Sequence, residues 1–170
     1  TESYTLSVIA AGKTTPSITT APTAGAITYG QTLADSTLSG GVASVAGAFA
    51  FTTPSSAPAV GVAAQGVTFT PSDTTNYNTT TTTVNVTVTK ATPTVTWATP
   101  SAITYGTVLS ATQLNATASV AGSFVYSPAS GTTPNVGTQT LTATFTPTDT
   151  ANYNTASTTV SLLVSNATPT

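Results

Sequence analysis

A ten-residue stretch occurs twice in the chain, and the distance between its copies constrains the fold more than any other feature. The first copy, 69–78, reads FTPSDTTNYN, and the second, 145–154, reads FTPTDTANYN, 76 positions later. Self-similarity at a fixed period marks a repeated structural unit. The sequence therefore predicts two domains of about 75 residues, 14–90 and 91–165, each large enough to bury a modest core without disulfides or metals.

Other landmarks keep nearly the same spacing. The segment ITYG at 27–30 returns at 103–106, and SVAG at 44–47 returns one residue early, at 119–122. The two domains therefore carry the same landmarks in the same order, and we expect them to share one architecture.

The chain opens with a strand pattern that belongs to neither repeat. Tyr4, Leu6 and Val8 alternate with polar residues, as in a half-buried strand. We therefore expect 1–13 to be a spare strand, either the last strand of a preceding domain or a donor strand that pairs with another subunit. The segment 166–170 matches the lead-in to a repeat, so the sequence resembles a window on a longer array.

Charge is almost absent from the chain. It has two lysines and four acidic residues, so 4% of its residues are charged, whereas an ordinary domain carries about 25%. Nucleic-acid binding and polybasic membrane contacts both need clustered Lys and Arg. No apolar run approaches the roughly 18 residues of a membrane-spanning helix. We therefore predict neither a nucleic-acid partner nor membrane insertion.

Hydroxyl groups replace charge as the source of polarity. The chain has 45 threonines, and this β-branched residue favours pleated, half-exposed strands over helix interiors. The absence of cysteine leaves no disulfide framework and no cysteine-based zinc site. A chain poor in charge and rich in Thr, Ala, Gly and Val is typical of exported bacterial proteins, so we predict an extracellular or cell-surface location.

Apolar residues alternate with threonine in short runs, and no helical period is sustained. The clearest run places Leu141, Ala143 and Phe145 on one face of a strand. Leu33 and Leu38 are assigned together to another strand. Short strands with Gly, Pro, Asn and Asp turns every eight to twelve residues or so indicate an antiparallel β-sandwich. The predicted fold is all-β: two tandem Ig-like antiparallel β-sandwich domains with a spare N-terminal strand.

The order of the landmarks resembles a known family. Thr-Tyr-Gly is followed by Gly-x-Phe, by Val-Gly, by Phe-Thr-Pro-x-Asp-x-x-Asn-Tyr-Asn and by an alternating valine strand. This order resembles the bacterial immunoglobulin-like tandem repeats of large surface or adhesin-type proteins, the group called MBG or Big_3-like, over residues 14–165. The resemblance implies a sandwich of about seven strands that serves as a modular spacer, with no catalytic residues to carry over.

The residue types that perform most catalysis are missing. Without histidine and cysteine, nucleophile–base pairs of the Ser-His and Cys-His type are not available. Asp73 and Asp149 occupy equivalent positions of different domains, so they do not form the close carboxylate pair of a glycosidase. We therefore predict no enzymatic activity, no catalytic residue and no cofactor.

The repeated stretch is predicted to form a hairpin-tip loop in each domain. Its notable members are Asp73, Asn76 and Tyr77 in the first repeat and Asp149, Asn152 and Tyr153 in the second. One interpretation is a metal site with Asp73 and Asp149 as weak candidate calcium ligands, because calcium takes six to eight oxygens. The interpretation that we favour is an Asx-type turn, in which the carboxylate accepts backbone N–H groups.

Three aromatic residues also allow two interpretations. The first is a platform for surface glycans formed by Tyr29, Tyr105 and Trp97. The second, which we favour, is packing in a core or at a domain junction, because aromatics that alternate with threonine usually pack inward.

Two functional hypotheses follow from the sequence. The first is a non-enzymatic structural module of a bacterial surface protein, in which neighbouring Ig-like repeats form a semi-rigid stalk or fibre because the junction 88–93 has few flexible residues. The second is a pilus-like filament subunit whose residues 1–10 add as a strand to an identical subunit. An adhesin or glycan-binding module is a third class with less support.

Overall fold

The structure of the protein is a computed structural model that describes residues 12–167. Its contacts divide the chain into two compact units, the first ending at Thr89 and the second beginning at Lys90. This division falls one residue from the boundary set by the 76-residue spacing. Each repeat of the sequence therefore corresponds to one compact unit.

The first unit has short strands in its first half and two long strands at its end. Its elements are β1 (Ile18–Thr20), β2 (Thr23–Ala24), β3 (Ile27–Thr28), the 3-10 helix η1 (Leu33–Asp35), β4 (Leu38–Ser39), β5 (Val42–Ala43), β6 (Gly47–Phe51), β7 (Gly61–Pro71) and β8 (Thr80–Thr89). Proline and glycine interrupt the early segments, whereas β-branched residues fill β8, where they suit a pleated strand.

The second unit repeats this plan with fewer short strands. Its elements are β9 (Val95–Thr96), β10 (Ile103–Thr104), β11 (Thr117–Ala118), β12 (Gly122–Ser127), β13 (Gly137–Pro147) and β14 (Ala156–Ser165). Each unit has one four-stranded sheet, accompanied by the pairs β1-β5 and β2-β4 in the first unit and by the pair β11-β9 in the second. The described residues contain no α-helix. The all-β, Ig-like sandwich predicted from the sequence is confirmed.

The sheets are not wholly antiparallel, and in this respect the prediction was wrong. The four-stranded sheets have the orders β3-β8-β7-β6 and β10-β14-β13-β12, and in both the first pair is parallel. Backbone bonds extend these pairs: the Tyr29 N–H donates to the Thr89 carbonyl at 2.8 Å, and the Tyr105 N–H donates to Ser165 at 2.8 Å. Period-two alternation gives the faces of a strand but not its partner or direction, so the sequence pattern did not reveal this pairing.

The core of the first unit lies between its sheets. Its buried members are Ile27, Leu33, Phe51, Val67, Val84, Val86 and Val88. The valines of β8 point inward and alternate with exposed residues, as the period-two pattern predicts.

Leu33 reaches this core from η1, so its predicted place in a strand with Leu38 was wrong. The Asp35 carboxylate accepts hydrogen bonds from the Thr32 N–H at 2.9 Å and the Thr32 hydroxyl at 3.0 Å, which closes a capping box. The Leu33 N–H also donates to the Ser56 carbonyl at 2.8 Å. The local capping bonds thus favour a 3-10 turn over the strand that the apolar spacing predicted, and Leu33 is fully buried from this turn.

The core of the second unit contains the chain's one tryptophan. Trp97 is buried, its indole N–H donates to the Gln113 carbonyl at 3.0 Å, and its ring meets Tyr126 edge-on at 5.3 Å. The Tyr126 hydroxyl accepts a hydrogen bond from the Ala116 N–H at 3.0 Å. Both polar atoms of this aromatic pair therefore have partners, as buried tryptophan and tyrosine require.

Two repeated landmarks of the sequence meet at one place in each unit. The glycine of SVAG lies beneath the phenylalanine of FTP: a Cβ on Gly47 would overlap the Phe69 ring and the Thr70 carbonyl oxygen. A Cβ on Gly122 would overlap Phe145 and Thr146 in the same way. The close approach of β6 to β7, and of β12 to β13, thus requires glycine at these positions.

Candidate functional site

The tip loops belong to the longest repeated stretch of the sequence and carry its candidate site residues. The first tip loop, 72–79, joins β7 to β8, and the second, 148–155, joins β13 to β14. In the first loop, Asp73 Oδ1 accepts hydrogen bonds from the N–H groups of Thr75 at 3.0 Å and Asn76 at 3.1 Å. Its Oδ2 accepts from the Asn76 side-chain amide at 2.8 Å. The carboxylate therefore closes the loop on itself in an Asx-type turn.

The second tip loop repeats the bonds between its aspartate and asparagine. Asp149 Oδ1 accepts from the Asn152 N–H at 3.2 Å, and Oδ2 accepts from the Asn152 side-chain amide at 2.8 Å. The Tyr153 N–H then donates to the Asp149 carbonyl at 3.1 Å. Asp and Asn are kept in both loops because each pair shapes its own turn.

These bonds change the acidity of the first carboxyl. The side-chain and backbone hydrogen bonds from Asn76 are the largest influences and hold the pKa of Asp73 below its ordinary value of 3.8. Lys13 lowers the pKa of Asp73 further through its charge, although by less than the hydrogen bonds. The loop is thus built around an ionised Asp73 at neutral pH.

The same loops hold the segment through which the chain enters each unit. This lead-in segment is 13–15 in the first unit. The Thr14 N–H donates to the Asn76 carbonyl at 2.9 Å, and the Asn78 N–H donates to the Thr14 carbonyl at 2.9 Å. The Asn78 side-chain amide also reaches the Lys13 carbonyl and the Thr15 hydroxyl, both at 3.3 Å. Four hydrogen bonds therefore join segments more than 60 residues apart, and we call this set the lead-in contact.

The second unit reproduces the lead-in contact with 90–92 as its lead-in segment. The Ala91 N–H donates to the Asn152 carbonyl at 3.0 Å, and the Asn154 N–H donates to the Ala91 carbonyl at 2.8 Å. The Asn154 amide reaches the Lys90 carbonyl at 3.4 Å and the Thr92 hydroxyl at 3.2 Å. In this unit the Lys90 ammonium adds a bond to the Thr150 carbonyl at 2.7 Å.

Entry and exit of the chain consequently lie at opposite ends of each unit. Thr14 is fixed to the tip loop, and β8 leads from that loop to the last strand residue, Thr89. At about 3.3 Å per residue, a strand of ten residues spans about 30 Å. In the second unit, β14 connects the tip loop beside Ala91 to Ser165 over ten residues.

The tip-loop residues were predicted from the sequence, whereas the lead-in contact was not. A signal was present: KTTP at 13–16 returns as KATP at 90–93, at nearly the spacing of the loops themselves. Two segments repeated with one period are candidates for a contact, but spacing alone does not show that they touch.

The candidate calcium ligands Asp73 and Asp149 are engaged in hydrogen bonds within their own loops. Both oxygens of each carboxylate already accept hydrogen bonds from the loop. Among residues 12–167, no group of three or more potential metal-ligating His, Cys, Asp or Glu residues occurs. The arrangement can shape a turn, and it offers a cation one carboxylate per loop.

The three aromatic residues of the glycan interpretation are divided between the two units. Trp97 lies in the core of the second unit. Tyr105 belongs to the same unit but is half exposed, and Tyr29 packs against the core of the first unit. Core packing, the alternative that we favoured, is correct for Trp97.

The first unit also contains a groove of about 410 Å³ beside the edge strand β6. Its lining consists of Leu38, Gly40, Gly41, Val42, Ala43, Val45, Ala46, Gly47, Phe49 and Phe69. None of these residues is titratable or carries a hydroxyl, so the groove offers no group for acid, base or nucleophilic chemistry.

The predicted assembly strand with Tyr4, Leu6 and Val8 lies outside the described residues. Strands β6 and β12 each lie at the edge of a four-stranded sheet. The outward side chain of Val125 on β12 is 70% exposed.

Among residues 12–167, no helix has the length and apolar character that a membrane crossing requires.

Comparison with known proteins finds similarity to solved structures. No protein-family model and no curated protein matches it. Among solved structures, it is similar to Drosophila N-cadherin EC1-4 at 14% identity and a TM-score of 0.37, over 92% of this chain and 50% of the cadherin chain, so it spans half of that chain's length.

Two further structures are similar over most of both chains. The titin domains z1z2, in complex with telethonin, match at 12% identity and a TM-score of 0.31, over 93% of this chain and 100% of theirs. The fibronectin(III)-like modules of Clostridium thermocellum CbhA match at 15% identity and a TM-score of 0.31, over 89% of this chain and 95% of theirs.

Proposed function

We propose that the chain is part of a non-enzymatic stalk on a bacterial cell surface, built from tandem Ig-like repeats of the MBG or Big_3-like kind. The observation that carries this proposal is the position of the chain ends in each unit. The chain enters beside the tip loop and leaves after β8 or β14, about 30 Å along the sheet. A module with this geometry adds length with every repeat.

The short connection between the units supports a semi-rigid stalk. Thr89 still receives the hydrogen bond of Tyr29 in the first unit, and Ala91 is already bonded to Asn152 in the second. Lys90, the first residue of the second unit, is the one residue between these two bonded positions, and its carbonyl accepts from the Asn154 amide. Few backbone torsions are therefore free to act as a hinge.

Small-angle scattering of the 170-residue chain tests this proposal, with a matched variant that carries a flexible Gly-Ser insertion between Thr89 and Lys90. Compared with the insertion variant, we expect the parent chain to have a narrower distribution of interatomic distances. We also expect its maximum dimension to be larger relative to the number of residues. Equal flexibility of the parent and the insertion variant would refute the semi-rigid stalk.

A second candidate function is a filament whose subunits join by strand addition. The observation that favours it is the open edge of each four-stranded sheet at β6 and β12, because an exposed edge can accept an additional strand. Residues 1–10 would supply that strand to an identical subunit. Electron microscopy of the parent and of a variant without residues 1–10 tests this candidate: filaments that persist after the deletion exclude it.

A further inference from the structure

The direction of the lead-in contact determines how it responds to pulling. Thr14 pairs with Tyr77, and Ala91 pairs with Tyr153, and both bridges are parallel. Tension draws the lead-in segment toward the N-terminus and the tip loop toward the C-terminus. Two parallel segments pulled in this way slide along each other, so their hydrogen bonds stretch together instead of opening one after another.

The tip loop also connects the lead-in contact directly to the last strand of the unit, from which the chain leaves. In the first unit, Asn78 is followed after one residue by β8, which ends at Thr89. Tension that enters at Thr14 can therefore cross two backbone hydrogen bonds and continue along one strand. While the lead-in contact holds, the strands between 18 and 71 are not in the path of the force.

Without the lead-in contact, the force would first reach a weaker pair of strands. The next element after the lead-in segment is β1, which pairs with β5 through Ile18 with Ala43 and Thr20 with Val42. This antiparallel pair is short and its register is irregular. It would be stripped from its end, bond by bond.

We propose that the lead-in contact is a tension-bearing device, and that the Asp-x-x-Asn-Tyr-Asn loop is repeated because it transmits pulling force from the lead-in segment to the last strand. This inference rests on the proposed stalk function and gives the loop a mechanical role within it. The parts of the contact that the two units share match that role. Thr14 is replaced by Ala91 in the second unit, where backbone groups make the bonds, whereas the bonding side chains Asn78 and Asn154 are identical.

The internal bonds of the tip loop serve the same role. Asp73 binds both the backbone and the side chain of Asn76, whose carbonyl accepts from Thr14. The acceptor of the lead-in contact is thereby held in place by the turn. On the other side, the proline that follows the lead-in segment is buried in both units, at Pro16 and Pro93.

Single-molecule force measurements on the full chain can separate this role from ordinary stability. The chain has no cysteine, so introduced cysteines define the points of attachment. Gly12→Cys with Lys90→Cys pulls the first unit through the lead-in contact, and a side chain at Gly12 meets nothing within 4 Å. Ala46→Cys with Lys90→Cys pulls from an exposed residue beside the tip loop, whose carbonyl accepts from the Ser72 N–H at 2.9 Å, and this path bypasses the contact.

The test variant is Asn78→Ala, and the matched control is Asn85→Ala, an exposed asparagine on β8. With attachment at Gly12, we expect Asn78→Ala to unfold about fivefold faster or more at a fixed force, the factor that corresponds to losing about one hydrogen bond. Asn85→Ala should unfold like the parent. With attachment at Ala46, both variants should unfold like the parent.

Two results would overturn the inference. Equal acceleration of Asn78→Ala in both attachments would mean a general loss of stability, and no acceleration with attachment at Gly12 would mean that the contact carries no force. If Asn78→Ala fails to fold, Thr15→Val replaces it, since it removes the hydroxyl that the Asn78 amide reaches. The force measurement concerns one unit, so a negative result does not decide the scattering test of the stalk. Conversely, independent tumbling of the units in scattering does not change the force result.

Discussion

The substitution Gly122→Ala tests the packing that links two repeated landmarks of the sequence. An added Cβ would overlap the Phe145 ring and the Thr146 carbonyl oxygen. The backbone oxygen lies in the paired strand β13, so it can move only if the pairing of β12 with β13 shifts. The variant therefore strains a rigid contact and not the end of a flexible side chain.

The expected magnitude follows from two opposing effects. Overpacking a well-packed site costs about 1–3 kcal/mol, while replacing glycine reduces the freedom of the unfolded chain and returns about 0.4–1 kcal/mol. The net loss should be about 1–2 kcal/mol. With a urea dependence of about 1 kcal/mol per molar for a small unit, the unfolding midpoint should fall by about 1–2 M.

Tryptophan fluorescence during urea unfolding measures this effect in the second unit alone, because Trp97 lies in that core and is the one tryptophan of the chain. The control is Gly66→Ala on β7, where an added Cβ would meet the Thr52 hydroxyl at 3.3 Å, an exposed side chain that can adjust. This control should leave the Trp97 transition unchanged. A midpoint for Gly122→Ala equal to that of the parent would refute the packing argument.

Three further predictions concern single side chains. Leu141→Ala should destabilise the second unit by about 2–5 kcal/mol, because Leu141 is fully buried; thermal unfolding followed by tryptophan fluorescence measures the loss, and a shift under 2 °C would contradict it. Trp97→Phe should cost about 1–3 kcal/mol, because the Gln113 carbonyl loses its buried donor, and circular dichroism in urea would detect it; an unchanged midpoint would count against this bond. Because hydrogen bonds from Asn76 hold the pKa of Asp73 below 3.8, ionised Asp73 favours the folded state: stability of the first unit should be full above about pH 5 and fall as the pH drops below about 4. Asp73→Asn should lose part of that acid dependence in pH-dependent urea titrations, and an identical pH profile in parent and variant would exclude the contribution.

The sequence by itself determined those features that local chemistry can specify. Alternation of apolar residues with threonine, as in Leu141, Ala143 and Phe145, gave strands and their buried faces, because side chains of a strand alternate between its two sides. The repeat predicted two domains with a boundary at 90/91, and the contacts divide the chain between Thr89 and Lys90. The Asp-x-x-Asn spacing gave the Asx-type turn, since a carboxylate can reach N–H groups only two or three residues away.

The tertiary structure decided which distant segments meet. The parallel pairing of β3 with β8 and the lead-in contact both join residues about 60 apart in sequence. Most of these bonds use backbone groups, which are the same for nearly every residue type and therefore leave little trace in the sequence. The position of Trp97 in the core was likewise fixed by a partner, the Gln113 carbonyl, that no local pattern identifies. What remained undetermined by the sequence is thus long-range backbone pairing. In this protein that pairing holds the entering chain against a loop of the longest repeated stretch.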